Sequence, residues 1–198
     1  MKRLPILFPA VLSLLMACNS KPKNSVTVTS KDGKETASID PEKAKDGLAE
    51  LQKTKDELEK LTPLTKDELT AVMPAELMGA QRSDVNVESS MGTAVANASY
   101  QVNDSAKLQL EIVDCAGAAG AGLFGMQYMG MINMNSDDED EYVKTIDLNG
   151  AKAFENCKKK KSRCTIAYFS GNRFLVSLRG DNIGVDALKE LAGGLRIK

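Results

Sequence analysis

The sequence predicts an α+β fold: a curved antiparallel sheet of about six to seven strands with helices packed on one face, preceded by an N-terminal signal peptide and a tether. Three observations predict it. Between residues 79 and 198, short stretches alternate apolar and polar residues with the period of two that places every second side chain on one face of a sheet. Apolar residues at helical spacing occur before this region, in 41–78, and again after Val185. The first 40 residues divide into an apolar leader and a run of Ser, Thr, Lys and Asp too poor in large apolar side chains to bury a core. The chain therefore divides into a signal peptide (1–17), a tether (18–40), amphipathic helices (41–78) and the α+β domain (79–198).

In order, Lys2 and Arg3 form a positive start and residues 4–15 an apolar run, of signal-peptide length and too short to span a bilayer. The run ends in Leu15-Met16-Ala17-Cys18, followed by Asn19 and Ser20. Leucine three before the cysteine, alanine directly before it and polar residues after it resemble the lipobox of bacterial lipoproteins. That resemblance implies cleavage before Cys18, acylation of its sulfur and amine, and attachment to the cell envelope through Cys18. Two or three acyl chains anchor stably where one binds only marginally. In enteric bacteria an aspartate after the cysteine resembles an inner-membrane retention signal; Asn19 favours the outer membrane.

Within the tether, Val26-Thr27-Val28-Thr29 and residues 34–39 flank Asp32-Gly33, a two-residue turn that would close a small hairpin. Asp40-Pro41-Glu42 starts a helix, and Leu48, Leu51, Leu58 and Leu61 form one stripe along it until Thr62-Pro63. A helix laid against its own domain is favoured over a coiled-coil arm, because so few heptads are present. Thr65 and Glu68 read as a capping box opening a second helix through Leu69 and Val72, stopped by Pro74.

Strands are expected at 81–88, 94–102 and 107–112, the last two joined by Asn103-Asp104-Ser105. Residues 116–134 are small and apolar, with Gly117, Gly120, Gly122, Gly125 and Gly130. They predict a helix lying close on the sheet, not a membrane span, since large aliphatics and flanking basic residues are few. Asp137-Asp138-Glu139-Asp140-Glu141 reads as a solvated break. It fails as a calcium loop: a loop starting at Asn133 needs glycine where Asp138 stands and glutamate where Lys144 stands. Four more strands, at 143–148, 151–157, 164–169 and 173–178, turn at Asn149-Gly150 and Ser170-Gly171-Asn172. Val185, Leu188, Leu191, Ala192 and Leu195 form a final amphipathic helix.

Leu110-x-Ile112-x-Asp114, Ile146-x-Leu148-x-Gly150 and Asn172-Arg173-Phe174 leading to Gly180 resemble motifs of a group of uncharacterised exported bacterial proteins. The resemblance covers the chain from about Gly79 onward and implies a sheet broadly similar to the PsbP-type fold. No activity is attached to the group, so no residue inherits a role.

Composition narrows the chemistry. Histidine is absent, which removes serine triads with a histidine base, histidine-ligated metals and imidazole switches. Net charge is −1 and becomes −3 once Lys2 and Arg3 leave with the signal peptide, arguing against nucleic acid as the partner. Cys157 and Cys164 flank Lys158-Lys159-Lys160-Lys161-Ser162-Arg163 and suit a disulfide across a hairpin, which needs a Cα separation of ~4.4 to 6.8 Å. Cys115 is then a buried free thiol. The lysine run is expected to be a solvated hairpin tip, with contact to anionic lipid headgroups or an acidic partner as its alternative. Met126, Met129, Met131 and Met134 resemble the methionine motifs of periplasmic copper handlers, since thioethers select Cu(I). On one helix, however, Met131 diverges from Met126 and Met129, and methionine more often fills gaps in a core.

These features point to a lipid-anchored envelope protein whose domain is a non-catalytic binding or scaffolding module. Its partners would be the membrane through the anchor and an envelope protein or small ligand, with no cofactor. The alternatives are a periplasmic Cu(I)-binding protein using the methionines and a carboxylate-dependent enzyme, for which no sequence motif places two acids in a pocket.

Overall fold

A computed structural model describes residues 26–29, 36–39, 41–90, 92–131 and 135–197. Cys18 with its lipobox, the Asp32-Gly33 turn and Met134 lie outside the described residues.

Within the tether region, β1 (Val26–Thr29) and β2 (Thr36–Ile39) pair antiparallel as a two-stranded sheet. Helix α1 (Pro41–Leu58) follows, then α2 (Lys66–Val72). The Thr65 side chain accepts from the Glu68 amide, and the Glu68 carboxylate accepts from the Thr65 amide, completing the expected capping box.

The main sheet has nine antiparallel strands among the described residues, in the order β3-β4-β5-β6-β11-β10-β9-β8-β7. They are β3 (Glu76–Leu77), β4 (Ala80–Ser90), β5 (Thr93–Gln101), β6 (Lys107–Asp114), β7 (Asn135–Asp137), β8 (Glu141–Leu148), β9 (Ala151–Lys158), β10 (Arg163–Ser170) and β11 (Phe174–Asp181). After β6 the chain forms helix α3 (Gly117–Met131), then a meander from β7 to β11 that brings β11 back beside β6. Helix α4 (Val185–Gly194) closes the described chain. Nine strands replace the six to seven expected because β3 and β7, of two and three residues, are too short to show a period.

The expectation that all helices pack on one face is corrected. Ala94, Ala96, Ala98 and Tyr100 of β5, Leu108, Leu110 and Ile112 of β6, and Val176 and Leu178 of β11 share a core with Leu69 and Met73 at α2 and with Leu188 and Ala192 of α4. Residues of the opposite phase, Val113 and Leu175 with Val95 and Phe169 packed against them, join Leu58 of α1 and Ala121 and Phe124 of α3 in a second core. These strands are apolar on both phases at one end, so each face there needs a cover. Elsewhere on the second face the exposed phase is polar.

Helix α3 lies on the sheet as expected, and among its described glycines the tightest approach is at Gly120, against Cys115 where the chain enters the helix. A Cβ on Gly120 would stand 2.5 Å from the Cys115 carbonyl carbon, whereas Gly122 and Gly125 have open space around them. No helix of the described residues is long and apolar enough to cross a membrane. In α1, Leu58 is fully buried and Leu51 partly so, while Leu48 remains 53% exposed; the helix packs on α3 but the stripe is covered only at its C-terminal end. It stops at Leu58, short of the expected Thr62-Pro63. The next backbone groups are drawn elsewhere: the Thr62 carbonyl accepts from Arg173, and the Leu64 amide donates to Asp114.

Asp114 and Arg173, 59 residues apart and both within the motifs quoted above, form a two-point pair of 2.8 and 2.9 Å, with the Asp114 side chain fully buried. Glu155, also fully buried, lies 3.0 Å from the Lys144 ammonium and 2.9 Å from that of Lys189, and accepts from the Tyr142 hydroxyl.

Candidate functional site

The polar part of the second sheet face is where the chain leaves chemistry accessible. In β5, β6, β11 and β10, residues Ser99, Gln109, Arg179 and Thr165 stand opposite one another in register, making a row across the sheet. The neighbouring row is Asn97, Glu111 and Ser177. These residues alternate with Ala98, Leu110 and Leu178, whose burial under α2 and α4 turns the polar set to the other side. Because α1 and α3 cover the end marked by Val95, Val113 and Leu175, the polar rows stay uncovered.

Together these residues line a groove of about 470 Å³. Its outer edge carries Asp84, with φ +50°, at the register shift between Ser83 and Asn86 where β4 leaves strict pairing with β5. Bulges of this kind re-aim side chains at sheet edges.

Arg179 is the distinctive group. Its Nε is buried and has no hydrogen-bond partner. Glu111 is its diagonal neighbour across β11 and β6, within reach of a long side chain. Among the described residues, neither takes part in an ion pair. The groove thus offers a guanidinium fork that suits a carboxylate, a carboxylate that accepts from ammonium or hydroxyl, and amide and hydroxyl groups between them.

A larger hollow of about 1020 Å³ lies between α2, the β3 corner and α4. Its arginines are already engaged: Arg82 donates to the Thr70 and Met73 carbonyls, and Arg196 to the Gly193 carbonyl. The groove on the other face is therefore the better candidate despite being smaller.

The buried groups whose ionisation is perturbed lie elsewhere and are locked into packing. Burial pushes the Cys115 thiol up to about 12 and the Tyr168 hydroxyl up to about 12. Burial also pushes the Asp114 carboxyl up, but Arg173 and the Leu64 and Ala116 amides outweigh it and hold its pKa below the ordinary value. Glu155 follows the same pattern, with Tyr142, Lys189 and Lys144 prevailing over burial.

The residues singled out in the sequence fall as follows. The Cys157 and Cys164 sulfurs are 2.09 Å apart, with Cα atoms at 4.1 Å, nearer than the expected range because the residues face each other directly across β9 and β10. The lysine run and the acidic run, read separately in the sequence, meet. Lys159 pairs with Asp137 at 2.5 Å and Lys160 with Asp140, while the Lys159 amide donates to the Asp140 carbonyl. The hairpin tip is thus partly neutralised from within, which weakens its claim on anionic headgroups.

Met126 and Met129 are 70% and 53% exposed on α3, while Cys115 is fully buried, so these sulfurs share no cavity. Met131 ends α3, and Met134 is outside the described residues. Among the described residues, no three His, Cys, Asp or Glu side chains gather as a metal site.

The groove has no counterpart among the sequence motifs. Its residues occupy the wet phase of strands and look like ordinary solvent-facing positions until the β6 to β11 pairing sets Arg179 beside Gln109 and Glu111. Comparison of the chain with family models, curated proteins and solved structures finds no match.

Proposed function

We propose that this chain is a lipid-anchored protein of the bacterial cell envelope whose α+β domain is a non-catalytic module that binds a ligand on its open sheet face. The observation that carries the proposal is Leu15-Met16-Ala17-Cys18 at the end of a signal-like apolar run, followed by polar residues. Acylation of Cys18 would hold the protein at the membrane, with residues 18–40 as spacer, and Asn19 favours the outer membrane. The resemblance of the domain to exported bacterial proteins, and through them to the curved PsbP-type sheet, supports the same compartment. A cysteine pair at disulfide distance fits an oxidising compartment. The groove supports a binding role: it gathers a charged anchor with amide and hydroxyl groups, the composition of a site that orients a ligand.

The test is Cys18→Ser in the producing bacterium, with metabolic labelling by a tagged fatty acid and cell fractionation. The unchanged protein should take the label and sediment with membranes. The variant should take none and be released by osmotic shock as a folded domain. Membrane retention of the variant, or an unlabelled parent protein, would overturn the anchor.

A further inference from the structure

We infer that the groove binds a small zwitterion of the amino-acid or short-peptide class, its carboxylate held by Arg179 and its ammonium by Glu111. This deepens the reading of the domain as a binding module and rests on it.

Three observations carry the ligand's chemistry. First, the Arg179 guanidinium enters no ion pair and no hydrogen bond among the described residues, which leaves its terminal nitrogens to a ligand. The buried Nε is closed to solvent, so a carboxylate meets Arg179 end-on and accepts from its two terminal nitrogens, a bidentate geometry that arginine favours. Second, the lining is not a simple anion site. Glu111 and Asp84 outnumber the one cation, so a dianion such as phosphate would meet two like charges. A ligand that brings its own positive charge turns that repulsion into attraction. Third, the dimensions agree. Arg179 and Glu111 are diagonal neighbours on adjacent strands, ~7–8 Å apart at the backbone, a span that a carboxylate and an ammonium a few bonds apart can bridge. The Gln109 amide and the Ser177 hydroxyl stand between them for the intervening peptide atoms, and about 470 Å³ accommodates a dipeptide.

The test is calorimetric titration of the full chain in detergent with four probes: alanyl-alanine, N-acetylalanine, alaninamide and inorganic phosphate. Alanyl-alanine should bind saturably at one site, and each of the other three should be at least about tenfold weaker. Arg179→Gln should weaken alanyl-alanine by at least about thirtyfold, the loss expected when one partner of a hydrogen-bonded charge pair is truncated. Arg179→Lys, which keeps the charge and loses the fork, should fall between parent and Arg179→Gln. Glu111→Gln should remove the preference for alanyl-alanine over N-acetylalanine.

No saturable binding of alanyl-alanine below about 10 mM, phosphate as the tightest probe, or affinity unchanged by both Arg179→Gln and Glu111→Gln would overturn the inference. Its failure is separable from that of the anchor. If Cys18→Ser releases a folded domain and the dipeptide does not bind, the ligand class falls and the anchor stands; the reverse pair of results does the opposite.

Discussion

The two faces of the main sheet differ in how their central charged residues are held. On the face under α2 and α4, Asp114 is gripped by Arg173 and two backbone amides, and Glu155 by Lys144, Lys189 and Tyr142. On the other face, Arg179 keeps a buried Nε without a partner, one residue along β11 from Leu178 in the first core. Nothing in the local backbone forces that difference, since both faces belong to the same strands and the same register. A protein selected only for stability has every reason to pair Arg179, for instance with Glu111 across the strand gap. The contrast is confined to these residues, since Arg163 and Asp181 pair on the open face and the buried Tyr168 hydroxyl of the closed face has no partner either.

The comparison predicts that truncating a charge on the closed face is far more damaging than doing so on the open one. Asp114→Ala removes the partner of Arg173 and the acceptor for the Leu64 and Ala116 amides, and should lower unfolding free energy by ~3–5 kcal/mol. Arg179→Gln should cost less, about 1 kcal/mol or below, since it breaks no hydrogen bond or ion pair among the described residues and loses only the packing of the side-chain stem. Urea denaturation of both variants measures this. Comparable losses would mean that Arg179 is a structural residue and that the two faces do not differ in kind.

Acid sharpens the same contrast. Asp114 and Glu155 both titrate in the folded state below their ordinary values of 3.8 and 4.5. A carboxylate with a depressed folded pKa contributes stability that is complete above the unfolded value and lost as pH falls through the folded one. Thermal stability should therefore hold level from about pH 8 to pH 5, where a chain without histidine has few groups to titrate, and fall below about pH 4. In Asp114→Asn that acid decline should be shallower than in the parent. An equally steep decline in the variant would assign acid sensitivity to groups outside the closed face.

How much of this was legible in the sequence follows from what periodicity can carry. Seven of the strands announce themselves, because alternation such as Leu108-Gln109-Leu110-Glu111-Ile112 has the period of a half-buried strand. Strands β3 and β7 do not, being shorter than two repeats. The second core does have a signal in the sequence: Phe174-Leu175-Val176 and Ile112-Val113 break alternation by placing apolar residues on both phases, which means cover on both faces. The groove had no such signal. Glu111 and Arg179 are 68 positions apart, and only the return of β11 to the side of β6, a long-range pairing with no local marker, makes them neighbours. The meeting of the lysine run with Asp137 and Asp140 was hidden for the same reason.

The smallest effect tests the open face at a residue without charge. Ser177 lies between Val176 and Leu178, both fully buried in the first core, yet its own hydroxyl faces the groove beside Glu111. Ser177→Ala keeps the strand and removes one hydroxyl, so unfolding free energy should move by less than ~0.5 kcal/mol, as at a surface position. If the groove is a binding site, that hydroxyl still matters to the ligand. Alanyl-alanine affinity should drop about three- to tenfold, the range for one lost neutral hydrogen bond. Stability and affinity would then part company at a single side chain. Should both stay unchanged, Ser177 is solvent-facing scenery, and the binding surface is confined to the charged pair; should stability fall as at a core position, the boundary between the two faces is misplaced at β11.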